Sequence, residues 1–323
     1  MAELFETGVV VLSIDTEQIW GYRDCMNEAQ FEARFPDSPR AHPTLLAHLC
    51  AAGVPATWFV VGGLMVCDSQ PAVNSRVPGG ERPGRLWYCR PFLQSLCHSR
   101  PAQEIGLHGG LTHMVWTGAG RADLSRELES GIDALAQLGV KPRSFSYPRM
   151  REAYHELLPA HGFNCFRGVP PSLAWRLGRT TAGAVLRAWE EISWARPPVV
   201  FPSEILPGLW TIPASMFLYP MAPERARLIG LQSRIERFRR GLEAAARQRG
   251  IFHFCFHPEN LVESPRGFSL LDDILEQLVL ARDRGDIEVL TMSDVVKRME
   301  RSPLYDFDSQ QPNPNVLTTD RSR

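Results

Sequence analysis

Short runs of apolar, β-branched residues alternate along the chain with longer stretches whose apolar positions recur every three or four residues. Runs of the first kind at 8–14 (GVVVLSI), 54–62 (VPATWFVVG), 104–107, 143–147, 164–167, 209–213, 250–257 and 287–290 predict buried strands, because a strand covered on both faces shows no polar side. Stretches of the second kind at 38–52, 91–98, 121–138, 151–161, 223–248, 270–284 and 293–301 predict amphipathic helices. In 223–248 the seam is explicit: Leu228, Leu231, Ile235, Phe238, Leu242 and Ala245 fall on one face. Strand and helix in regular alternation predict a parallel sheet that closes into a distorted (β/α) barrel of seven or eight strands. We read 1–303 as one domain with insertions near 66–85, which is rich in Pro, Gly and Ser, and 169–200, which is apolar and aromatic with one or two helices; 304–323 reads as a polar tail.

Charge narrows the partners. The 323 residues hold 35 Lys and Arg against 36 Asp and Glu, a formal charge of −1, so no global field recommends nucleic acid. The opening MAELFETGVVVLSID lacks the basic start of a secretory signal, and no run approaches the ~20 apolar residues of a membrane span. The expectation is a cytoplasmic chain with no transmembrane segment, although the arginine-rich helix 223–248 admits a peripheral membrane contact or a carrier phosphate. Seven scattered cysteines without a C-x-x-C pair exclude a disulfide framework and a thiolate zinc site.

In a (β/α) barrel, chemistry collects where the strands end at their carboxyl edge. The first strand ends in Asp15-Thr16-Glu17; residues two apart share a strand face, so both carboxylates project together and divide between cation ligand and general base, unless they are solvated loop acids. The third ends at His108, and a Gly109-Gly110 kink lets His113, five residues on, turn back towards the same cation. The fourth delivers Tyr147-Pro148-Arg149, whose guanidinium would orient a carboxylate, a phosphate or the base; its plain alternative is a surface pair with Glu152. In FHFCFHP (252–258), three Phe alternate with His253, Cys255 and His257. Phe belongs against helices and the imidazoles inside the barrel, where His257 at the strand end suits a proton donor and His253 a hydrogen-bonded core residue. A second metal site from His253, Cys255 and His257 is disfavoured, since alternate strand residues stand about 7 Å apart. Trp20, Trp87 and Trp116 flank these segments as candidate sugar-stacking faces.

Together the four motifs resemble the polysaccharide deacetylase family (NodB-homology, carbohydrate esterase family 4-like), over most of 8–300. Asp15 and Glu17 match its D-x-[DE] motif with Glu where Asp is commoner, SYPR its arginine motif and FHPENL its last motif. The step from His108 to His113 is five where H-[ST]-x-x-H gives four, while EIGLHGGLTHMVW is similar to deformylases of lipid-linked formamido-arabinose. The resemblance implies a NodB-type barrel and a mononuclear metal held by Glu17, His108 and His113. It also implies Asp15 as base, Arg149 as its orienting partner and His257 as the acid that protonates the leaving amine. Zn²⁺ suits two imidazoles and one carboxylate best, with Co²⁺, Ni²⁺ or Fe²⁺ compatible. The implied function is removal of an N-acetyl or N-formyl group from a small-molecule or carrier-linked amino sugar or glycan intermediate. The alternatives are a deacylase or deformylase of a non-sugar metabolite, and a catalytically lapsed glycan- or protein-binding barrel.

Overall fold

A computed structural model describes residues 4–66, 85–178, 180–219 and 230–301. Its strands are β1 (Gly8–Thr16), β2 (Thr57–Val60), β3 (Glu104–His108), β4 (Ser144–Ser146), β5 (Cys165–Gly168), β6 (Ser203–Leu206), β7 (Leu209–Pro213), β8 (Met216–Phe217), β9 (Ile251–Phe256) and β10 (Ile287–Val289). They form one sheet in the order β6-β7-β5-β4-β3-β2-β1-β9-β8, with β10 on β1. All pairings are parallel except that of β6 with β7.

One bent segment curls the sheet. β7 pairs with β5 and β8 with β9, yet only Ala214 and Ser215 separate them. At the bend the Ala214 N–H donates to the Gly168 carbonyl (2.9 Å) and the Ser215 N–H to that of His253 (2.8 Å). The 209–217 segment thus spans the two ends of the sheet and gives the distorted (β/α) barrel expected. β1 is its central stave: all nine residues are buried, one edge pairs with β9, and the other is shared between β10 at its start and β2 at its end.

Period-two alternation sorts the side chains into two cores. Val10, Leu12, Ile14, Phe252, Phe254 and Phe256 face outwards into the larger cluster under the helices, where Phe238 on helix Leu231–Gln248 meets Phe252 and Phe254 edge-on at 5.2 and 5.1 Å. Val9, Val11, Phe59, Cys165, Ile212 and Ile251 fill a smaller cluster within the barrel. Each large apolar side chain so buried contributes about 1.5–3 kcal/mol.

Several expectations change. Helix 151–161 shrinks to Leu157–Ala160, because Arg149, Met150 and Tyr154 hold left-handed backbone (φ 59°, 52° and 51°) that no α-helix continues through. The β6–β7 hairpin, turned by Pro207-Gly208, and helix Glu28–Arg34, capped by Asn27, join the predicted elements. The 169–200 stretch carries helices Leu173–Arg176 and Thr181–Ile192. Most of the 66–85 insertion, the start of helix 223–248 with Leu228, and the 304–323 tail lie outside the described residues. No helix among the described residues is long and apolar enough to cross a membrane.

Candidate active site

Because the barrel strands are parallel, their carboxyl ends meet at one mouth. Asp15, Glu17, His108 and His113 are all buried there, with His257 beside them. His108 Nδ1 donates to the Ser146 carbonyl (2.9 Å), which fixes the tautomer and turns the Nε2 lone pair towards Glu17 Oε2, 3.0 Å away. His113 Nε2 lies 3.1 Å from the same oxygen, and the two rings stand edge to face with centroids 4.8 Å apart. One ligand atom from each of Glu17, His108 and His113 lies within 4.8 Å of the others. A carboxylate oxygen faced by two imidazole nitrogens is an arrangement that a cation among them resolves, and this donor set suits Zn²⁺.

The five-residue step to His113 works because its loop is clamped backbone to backbone. Gly62 N–H donates to the Gly110 carbonyl (2.9 Å), Gly63 N–H to Leu111 (2.7 Å), and Leu111 N–H to Glu127 of helix Arg121–Ala136 (2.9 Å). The buried Glu127 carboxylate then accepts from Thr112 N–H (2.7 Å) and its hydroxyl (3.0 Å). A Cβ on Gly131 would meet the Gly110 carbonyl carbon at 2.6 Å, so helix and loop touch only where side chains are missing.

On Asp15 the structure corrects the sequence reading. Its partner is Arg167, not Arg149: the buried Arg167 donates to Asp15 Oδ2 (2.6 Å), Ser146 Oγ (2.9 Å) and Ser13 Oγ (3.1 Å), over the face of Phe59. Arg149 instead donates to the Gly21 carbonyl (2.7 Å) and Asp24 (2.6 Å) at the rim. The left-handed turn at Arg149 and Met150 aims the guanidinium sideways across the mouth, whereas β5 points Arg167 straight into the barrel. Burial pushes the Asp15 carboxyl up, but Arg167, with His108 and His257, outweighs it and holds the group below the usual carboxylate range. Asp15 Oδ1 is buried without a hydrogen-bond partner, free to face a substrate or water.

His257 Nε2 sits 3.2 Å from Glu17 Oε1 and 3.5 Å from Asp15 Oδ2. Burial works against its charge, yet Glu17 and Asp15 push its pKa up to about 9. Glu17 is likewise pushed up by burial, but His257 and His113 hold it well below the carboxylate range. The next residue of the motif but one, Glu259, points away and accepts from Ser38 Oγ (3.0 Å). His253 is the core histidine expected: Nδ1 donates towards the Ile212 and Pro213 carbonyls, and Nε2 accepts from Ser13 Oγ (2.8 Å). Trp20, Trp87 and Trp116 are buried core residues, with Trp20 and Trp87 packed edge to face at 5.0 Å, and offer no stacking face. The aromatic walls of the cavity, about 990 Å³, come from Tyr22, Tyr147, Trp175, Phe217 and Tyr219.

No protein-family model matches the chain, and no curated protein matches it by sequence. Solved structures do. A Mycobacterium smegmatis protein named as a polysaccharide deacetylase superposes with a TM-score of 0.61 at 23% identity, over 91% of this chain and 90% of that one. A Pseudomonas aeruginosa PAO1 protein named likewise gives 0.60 at 11% identity over 92% of each chain, and the Puue allantoinase 0.59 at 12% over 92% of each. The chain therefore has the fold of the polysaccharide deacetylases, the distorted (β/α) barrel of the NodB-homology type.

Proposed function

We propose that the chain is a metal-dependent amide hydrolase that removes an N-acetyl or N-formyl group from an amino sugar or glycan intermediate. The observation that carries this reading is the meeting of Glu17, His108 and His113 within 4.8 Å of one another, beside the unpartnered Asp15 Oδ1. Glu17 Oε2, His108 Nε2 and His113 Nε2 would hold a divalent cation, Zn²⁺ by preference. When bound, that cation supplies the Lewis acidity that polarises an amide carbonyl and eases deprotonation of water.

The chain's own groups divide the proton work. Arg167 fixes Asp15 through Oδ2 and keeps it ionised, which leaves Oδ1 to take the proton from attacking water. Ser146 serves twice, orienting His108 through its carbonyl and Arg167 through its hydroxyl. His257 carries a proton on Nε2 between two carboxylates and gives it to the departing amine, without which the C–N bond re-forms. The neighbours named as polysaccharide deacetylases support an acetylated sugar. The allantoinase of the same fold supports a second reading, hydrolysis of a non-sugar amide.

Metal analysis and product release test the proposal together. Protein loaded with zinc should carry about one ion per chain and release acetate or formate from a panel of N-acetyl and N-formyl amino sugars. Glu17→Ala should lose the ion; Asp15→Asn should keep it and lose turnover. A chain that binds no divalent metal, or an Asp15→Asn variant with full turnover, ends the proposal.

A further inference from the structure

Three carboxylates line the cavity, and each is already answered from within the fold: Asp15 by Arg167, Glu17 by the three histidines, and Glu191 by Arg237 at 3.1 Å. Among the guanidiniums at the cavity wall, Arg167 and Arg34 are likewise paired, with Asp15 and Glu263, but Arg187, Arg151 and Arg149 are not balanced in that way. Arg187 donates to two backbone carbonyls, Ala174 (2.9 Å) and Gly178 (2.8 Å), which leave its charge intact. Arg151 is exposed and has no ion pair among the described residues. Arg149 pairs with Asp24, whose side chain is 60% exposed; such a surface pair contributes little, and an incoming anion can displace it.

The backbone aims these groups. Arg149 and Met150 both hold left-handed φ, 59° and 52°, a conformation that non-glycine residues keep only where the surroundings enforce it. The turn sends Arg149 and Arg151 to the wall of one cavity, and Arg149 lies near enough to Glu17 to feel its charge. Guanidinium forks match phosphate and carboxylate oxygens two at a time.

Resting on the hydrolase reading above, we propose that the substrate is an amide bearing an anionic group, a phosphate or a carboxylate, which Arg149 and Arg151 clamp beside the reacting centre, with Arg187 lining the same cavity. A neutral glycan chain would leave this positive wall unanswered.

The full chain, with zinc added and without, is titrated calorimetrically with inorganic phosphate and, separately, with succinate. Saturable binding of either probe, present in both preparations, should weaken by about tenfold in the Arg149→Gln/Arg151→Gln double variant and by about threefold in Arg151→Gln alone, an exposed change that spares folding. Arg121→Gln, on a distant surface pair, should leave it unchanged. The probe that binds identifies the group. Absence of binding by both probes, or binding indifferent to the double variant, overturns the proposal. In turnover, kcat/KM for N-acetylglucosamine 6-phosphate or N-acetylmuramic acid should exceed that for N-acetylglucosamine by about tenfold, a ratio that collapses in the double variant. Arginine-dependent binding without turnover of any of the three supports the anion site and counts against the hydrolase. Turnover of N-acetylglucosamine equal to that of the charged pair, with no phosphate or succinate bound, does the reverse.

Discussion

Two histidines four residues apart on one inward-facing line of the chain, His253 and His257, end in opposite charge states. Burial penalises the imidazolium of both. At His253, Arg167 adds to the penalty, and the two outweigh the Ile212 and Pro213 carbonyls and Asp15, which favour the charged ring, so its pKa is pushed down to about 3. At His257 the carboxylates of Glu17 and Asp15 reverse the outcome and push it up to about 9. Depth alone does not separate them; the chemistry of the neighbours does. The inner layer of Ser13, Arg167 and His253 is a fixed polar frame, and the mouth one strand-end higher is where protons can move.

The sharpest test of that contrast is His257→Gln. Turnover should fall by about 10²- to 10⁴-fold, while bound zinc and the melting temperature stay near those of the parent; a variant that keeps its turnover would erase the distinction. Arg167→Met comes next. It leaves the Asp15 charge buried and unpaired, and should cost about 3–5 kcal/mol in urea unfolding, whereas an exposed role for Arg167 would make the change nearly silent. His253→Ala should cost about 1–3 kcal/mol, since Ser13 and two carbonyls lose their partner, with zinc stoichiometry kept; loss of metal at unchanged stability would move His253 into the site.

The smallest effect is on pH. His253 and His42, pushed down to about 3 and about 4 by burial, gain protons in the unfolded chain first, near pH 6.5. Between those values the unfolded state binds more protons, so the contribution of these two histidines is full above pH 6.5 and declines on acidification, offset in part by Glu259, which burial pushes up to about 7. Each histidine adds at most about 1.4 kcal/mol per pH unit. Unfolding between pH 7 and 5 should show the slope, and His253→Asn should reduce it.

The alternation FHFCFH sorted six residues correctly onto two faces, because a strand's period leaves no choice once one face is aromatic. Asp15, Glu17 and His108 were legible for the same reason, as polar residues ending apolar runs. Arg167 was not: in the four-residue strand CFRG one arginine gives no period, and the Pro-flanked Arg149 drew the role instead. Its one available sign was a charge inside an otherwise apolar strand, which needs a buried partner. The left-handed turn that ended helix 151–161 also lay beyond pattern reading, since Arg and Met carry no preference for it. The β6–β7 hairpin has its sequence signal in Pro207-Gly208, the turn between its two short strands.

Gly62, Gly110 and Gly131 bring three backbones together where a single methyl on any one would strike the next at under 3 Å. The tolerance of His113 is therefore written in hydrogen atoms. An imidazole standing at 69° to its partner ring can be no better placed than the backbone contact behind it allows, and that contact is close only because these three residues carry no side chain. A wider mouth would have to begin at those three positions before any side chain at the site changed.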